Sequence, residues 1–223
     1  MATTLDFAKL SQAAYAGSSG MIHNNRSGVS WNKKSDIHLT GFFAALYSTS
    51  DDNESVLAFR GSQTSARFDL AGEIQLANSM PPHQVSNAIN YTRGVRKNYP
   101  NIILTGHSLG GALAILVAAA LDLKAYTFNA PGVVDECVTF SVRNEIFQRD
   151  ASMSRIVKAI QNCLANPNIR NYRVNGDPVN TIHTTGKPGG NTGSKHASSS
   201  RHDLLYKNGV DAVVAELNAG SPT

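Results

Sequence analysis

The sequence predicts an α/β domain with a largely parallel central sheet. Three observations lead there. Short apolar runs of strand length alternate with helix-length amphipathic stretches, one strand–turn–helix passage carries Gly106-His107-Ser108-Leu109-Gly110, and 223 residues suffice for one sizeable core but not for two. A single domain over 1–223 is therefore expected.

Taken in order, Leu5, Leu10, Ala13, Ala14 and Tyr15 recur at helical spacing and predict a first helix. Residues 41–48 and 55–59 are apolar runs parted by Ser50-Asp51-Asp52-Asn53, a strand–turn–strand signal whose second strand leads into Arg60-Gly61-Ser62. After Pro81-Pro82, the positions Val85, Ala88, Ile89, Thr92, Val95 and Tyr99 mark one helix face. A buried strand follows at 101–105, then a helix at 109–121 that is apolar on nearly every side, then a strand at 124–128. Ile156, Val157, Ile160, Cys163 and Leu164 predict a helix over 153–164, with a strand at 170–174 behind it. Val210, Val213, Val214 and Leu217 close the chain with a last helix. Residues 186–200 are so rich in Gly and Ser that they are expected to be a loop, too poor in apolar area to offset the entropy of ordering.

Composition narrows the function classes. Charged residues are 16% of the chain, below the roughly 25% of an average soluble domain, and the polarity comes from Ser, Thr and Asn. Disordered chains, coiled coils and nucleic-acid arms all carry more charge, so no nucleic-acid partner is expected. The net charge of +4 aids solubility without forming a phosphate-binding stripe, and the densest basic group, Arg93, Arg96 and Lys97, reads as a solvated helix face, with contact to an anionic membrane the alternative. Cys137 and Cys163 cannot make a disulfide framework and are expected as free thiols, one bridge being the alternative. The first residues lack the basic end and apolar core of a signal peptide, and the best apolar run, 112–121, is too short to span a bilayer. The expectation is a protein without a transmembrane segment, either cytoplasmic or exported without a cleavable leader.

Gly106-His107-Ser108-Leu109-Gly110 fits G-x-S-x-G, a pattern that alone carries little. Its context strengthens it, because the motif requires a strand, a sharp turn and a helix, and an apolar strand and an apolar helix flank it. Such a turn holds its serine in a sparsely allowed conformation above the sheet, and Gly106, Gly110 and Gly111 remove the Cβ atoms that would collide where strand and helix nearly touch. The helix start also aims free N–H groups at an anion formed near Ser108. A Gly-rich corner with an incidental serine is the plain alternative.

The stretch from Ile103 to Ala114 closely resembles the nucleophile elbow of the class 3 lipases, a branch of the α/β-hydrolase fold. Phe59-Arg60-Gly61-Ser62 is similar to that family's oxyanion segment, and Val174-Asn-Gly-Asp-Pro-Val179 to its catalytic-acid segment. The resemblance runs with gaps from about residue 5 to residue 217. It implies an α/β-hydrolase fold and a serine hydrolase with Ser108 as nucleophile, Asp177 as acid and His202 as base, in the chain order of that fold. His202 follows the Gly/Ser stretch and matches the family's late histidine; His196 and His183 remain as alternatives, and Asp177 could instead be a turn-making residue before Pro178. His107, beside the serine in sequence, reads as structural. The oxyanion donors would be the backbone N–H of Leu109 and, by the resemblance, that of Ser62, with Arg60 supporting the loop rather than touching substrate. Where the family usually has Trp and an acidic residue after its oxyanion segment, Phe68-Asp69-Leu70 and Glu73 stand.

The function expected is thus hydrolysis of lipid or phospholipid acyl esters. An acyltransferase or thioesterase would use the same acyl-enzyme, and a catalytically silent lipase-like binding module is the non-enzymatic alternative. A serine triad needs no metal or cofactor, and the histidines lack metal-ligand spacing. The partners expected are the lipid or ester substrate, a transient lipid interface and, for an exported effector, an inhibitor protein. Residues 133–168 form a segment too long for a simple strand connection; a helical cap or lid over the acyl site is one reading and an ordinary helical layer the other.

Overall fold

The computed structural model of the chain describes residues 1–17, 20–61, 82–130, 166–174, 196–197 and 209–219. The strands among them are β1 (Ile22–Asn24), β2 (Val29–Leu39), β3 (Phe42–Thr49), β4 (Ser55–Phe59), β5 (Ile103–His107), β6 (Lys124–Phe128), β7 (Ile169–Val174) and β8 (His196–Ala197). They lie side by side in sequence order. The pairings from β1 to β4 are antiparallel and those from β4 to β8 parallel, so the sheet is mixed, and the expected parallel character holds from β4 onward.

Helix α1 (Thr4–Ala16) starts at a capping box, in which Asp6 N donates to the Thr3 hydroxyl and Thr3 N donates to Asp6 Oδ2 at 2.8 Å. It ends at Gly17 in the left-handed conformation. The fully buried Asp6 carboxylate also accepts from Ser27 Oγ at 3.2 Å and Trp31 Nε1 at 3.1 Å, which ties the helix start to β2. Burial pushes this carboxyl up, but the hydrogen bonds from Thr3, Asn24 and Trp31 outweigh it and hold it below its ordinary range.

The other described helices are α2 (Pro82–Arg96), α3 (Leu109–Leu121) and α4 (Gly209–Ala219). A parallel sheet that grows in one direction through right-handed crossovers puts its connecting helices on one face, so the other face must be covered from elsewhere. Along β3, Phe42, Ala44 and Leu46 join a core layer containing Val85 and Ile89 of α2 and Leu113 to Ala119 of α3. Phe43, Ala45 and Tyr47 point the other way, into a layer with Leu5, Phe7 and Leu10 of α1 and Val213, Val214 and Leu217 of α4. Coverage on both faces explains why every residue of β3 and β4 is buried and why these strands read as continuous apolar runs. Helix α3 is buried from Gly110 to Ala119, which accounts for its apolar character all round.

The helices at 109–121 and near the termini, and the strands at 42–49, 55–59, 103–107, 124–128 and 169–174, meet the expectations from sequence. Strands β1 and β2 carry no apolar pattern that announces them; β2 is largely exposed beyond Trp31. One expectation is corrected. His196–Ala197, inside the predicted 186–200 loop, pairs in parallel with Arg173 and Val174 of β7. Backbone pairing at a sheet edge recruits residues whatever their composition. The helix expected over 153–164, Cys137, Cys163 and most of 133–168 lie outside the described residues.

Candidate active site

The strand β5 passes into α3 through a single residue, Ser108. Its N–H donates to Phe128 O at 3.0 Å, prolonging the β5–β6 ladder, while its carbonyl accepts the first helical bond from Ala112 N at 3.0 Å. One residue therefore ends the strand and caps the helix. That double duty forces φ 53° and ψ −128°, a combination costing on the order of 1–3 kcal/mol in a residue with a Cβ. The serine side chain makes no capping hydrogen bond, although serine is among the favoured N-caps. Leu109, Gly110 and Gly111 fill the first helical turn, where N–H groups have no helical acceptor and the positive end of the helix lies.

The corner closes only because three glycines lie in it, each against a different neighbour. A Cβ on Gly106 would overlap the Gly110 carbonyl and come 2.7 Å from Gly111 N. On Gly110 it would overlap Phe59 O at the end of β4 and come 2.8 Å from Gly61 N. On Gly111 it would stand 2.8 Å from the Ala130 Cβ. The helix start is thus pressed against the carboxyl ends of β4, β5 and β6 together.

His107, beside Ser108, is tied away from it. Its Nδ1 lies 3.2 Å from the Tyr15 hydroxyl, which also donates to His107 O at 3.3 Å, and the two rings meet edge to face. Desolvation pulls the imidazole from 6.5 down to about 4, so the ring is neutral at pH 7. This agrees with its expected structural part. Arg60 N donates to Phe43 O at 3.0 Å, and its guanidinium stands 4.5 Å from the centre of the Phe43 ring, which His38 meets edge-on. At the ends of β6 and β7, the buried Asn171 amide grips Ala130, accepting from its N–H at 3.2 Å and donating to its carbonyl at 2.9 Å. Asn129 N donates to Tyr172 O at 2.8 Å, and Asn129 itself has φ 45°. Neither Tyr15 nor Asn171 stood out in the sequence as a site residue, because each acts on a backbone distant in the chain.

Of the sequence-predicted site, Ser108 and Leu109 are placed as expected for an elbow. Ser62, Asp177 and His202, together with His183, Phe68, Asp69, Leu70 and Glu73, lie outside the described residues. No group of three or more His, Cys, Asp or Glu side chains among the described residues is set to hold a metal ion. Nor is any described helix long and apolar enough to cross a membrane.

An extracellular phospholipase A1 from Serratia liquefaciens is 35% identical over 97 residues, which make up 43% of this chain and 29% of that protein. The putative lipase ATG15 of Saccharomyces cerevisiae is 47% identical over 49 residues, 21% of this chain and 9% of that protein. The chain thus spans less than a third of the length of these curated relatives. A triacylglycerol lipase from Penicillium expansum aligns in structure over 59% of this chain and 63% of that one, with 21% identity and a TM-score of 0.36. A family model described as a Tle-like phospholipase domain matches residues 7–223. With a strand–serine–helix corner at the centre of a mixed α/β sheet and a match over nearly all of its length, the chain belongs to the phospholipase-like family, as a Tle-like phospholipase domain.

Proposed function

We propose that the protein hydrolyses the acyl esters of lipids, phospholipids foremost, through an acyl-enzyme on Ser108. The observation that carries this is the Ser108 corner, where a strained serine with its hydroxyl unused for capping stands over a helix start with free N–H groups. Family membership and the phospholipase A1 relative support the substrate class.

In this reading His202 takes the Ser108 hydroxyl proton as Oγ bonds to the ester carbonyl carbon. The carbonyl π pair moves onto oxygen, and the oxyanion is held by the N–H groups of Leu109 and Ser62. Collapse breaks the bond to the alcohol oxygen, which takes the proton from His202 and leaves. Water, deprotonated in turn by His202, attacks the acyl-serine, and collapse frees the carboxylic acid and returns the proton to Ser108. Asp177 fixes the imidazole tautomer and stabilises the imidazolium without taking its proton. In this reading the segment 133–168, which follows Ala130 in the chain, would supply the acyl-chain wall, an ordinary helical layer being the alternative.

The test is fluorophosphonate labelling together with turnover of short esters, long esters and phospholipids. Wild type should label and turn over, whereas Ser108→Ala should take no label and lose on the order of 10⁴-fold or more in kcat. His202→Ala should match that loss and His196→Ala should not. Full labelling of Ser108→Ala, or an active His202→Ala, overturns the assignment.

A further inference from the structure

We infer that Tyr15 is a positioning residue for the oxyanion site, its hydroxyl wedged between the carboxyl ends of β4 and β5 so that the two donor-bearing segments keep a fixed spacing. This rests on the proposal that Ser108 forms an acyl-enzyme.

Three observations combine. First, the hydroxyl occupies the place of a side chain at Gly61. A Cβ there would overlap Tyr15 Oη and would lie 2.9 Å from His107 O and 3.2 Å from Tyr15 Cζ. Gly61 N is also where a Cβ on Gly110 would approach to 2.8 Å. The end of β4 is therefore gripped between Tyr15 and the first turn of α3, and the residue after Gly61 is the proposed donor Ser62.

Second, the hydroxyl bonds to β5 at two points of one residue. Tyr15 has a single hydroxyl proton, and donation to His107 O spends it. The contact with Nδ1 is then satisfied when the neutral ring carries its proton on Nδ1 and donates to the Tyr15 oxygen. Both bonds hold together only in this tautomer, which makes the pair a directional clamp on the residue preceding Ser108.

Third, Tyr15 is itself held rigidly. Helix α1 is fixed at its start by the buried Asp6 carboxylate. Along its length, Phe7 stacks on Tyr126 of β6 with ring centres 4.3 Å apart, and the Thr105 hydroxyl of β5 lies 3.1 Å from Phe7 O and 2.8 Å from Tyr126 O, its one proton shared between the two carbonyls. The helix thus carries Tyr15 to the site as a strut across β5 and β6. Oxyanion stabilisation depends on donor position, and a misplacement of about 1 Å can cost 10²-fold.

The experiment compares wild type, Tyr15→Phe, Gly61→Ala and the double variant of the full chain. It measures kcat and KM on a soluble butyrate ester, hydrogen exchange over 56–61 and 103–112, and Tm. Tyr15→Phe should lose about 10-fold in kcat with KM unchanged and with faster exchange at both strand ends, out of proportion to any fall in Tm. Gly61→Ala should be less damaging in the Tyr15→Phe background than in wild type, because the hydroxyl is the nearest obstruction. Wild-type kcat and exchange in Tyr15→Phe, or strictly additive effects in the double variant, overturn the inference. Should wild type fail to take up a fluorophosphonate, the serine-hydrolase proposal falls, and the exchange comparison still decides whether Tyr15 braces the two strand ends.

Discussion

The two ends of the parallel strands both use a positive φ, for different reasons. At the amino ends, Asp52 and Asp122 have φ of 56° and 55°. Both are exposed residues in turns, Asp122 closing α3 in the left-handed conformation that Asp tolerates. At the carboxyl ends, Ser108 has a similar φ of 53° but a ψ of −128°, outside that well, and is held between a strand ladder and a helix. The first end bends the chain at little cost. The second stores strain at the serine proposed as the nucleophile. Positive φ alone does not mark a functional residue; what marks it is a conformation imposed from several sides.

That contrast can be broken or sharpened by substitution. The largest effect is expected from Gly110→Ala, whose Cβ meets the backbone of β4: a loss of about 3 kcal/mol or more, or failure to fold, read by thermal or urea unfolding. Gly94→Ala, in α2 with open space around its Cβ, should instead gain about 0.5–1 kcal/mol. If both behave alike, the close approach at the elbow is not what fixes its glycines.

Next comes pH. The His107 ring stays neutral in the fold down to about 4, whereas an unfolded histidine takes a proton below about 6.5. Between these values unfolding binds a proton, so stability falls as pH drops from about 6.5 to 4. His107→Gln should flatten that slope in urea titrations at several pH values. Asp52→Asn, at the opposite end, should leave it unchanged. The Lys34 ammonium and the Ser48 hydroxyl hold the Asp52 carboxyl below its ordinary 3.8, so its contribution is complete above 3.8 and is lost only at lower pH.

A smaller effect than at Gly110 is expected from strain relief. Ser108→Gly should raise stability by about 1–2 kcal/mol while abolishing fluorophosphonate labelling, and Asp122→Gly should change stability by less. Equal gains at the two positions would remove the distinction between a tolerated turn and an imposed one.

The legible parts of the chain were those whose physics is local. The bounds of α3 and β6 could be read directly, because an unbroken apolar run ended by Asp122 or begun at Lys124 needs no outside information. The elbow was legible for the same reason, since strand, glycines, serine and helix are contiguous. Strand β2 was not legible. Val29–Leu39 mixes Lys, Asp, Asn and His because it is largely exposed past Trp31, and what makes it a strand is the β3 backbone beside it. The His196–Ala197 pairing with β7 escaped on the same ground.

By itself, then, the sequence determined the alternation of strands and helices, the helix buried on all sides and the serine corner, whose resemblance to the class 3 lipase elbow raised the expectation of ester hydrolysis. Tertiary structure alone decided why Gly61 must lack a side chain, that the neighbour a Cβ on Gly110 would meet is Phe59 O of β4, that Tyr15 fills the space left at Gly61, and that Asn171 grips Ala130 across two strands. The reason is one of range. Periodicity and turn chemistry act between near neighbours, whereas a van der Waals overlap or a buried hydrogen bond between segments distant in the chain exists only once the fold has brought their backbones together.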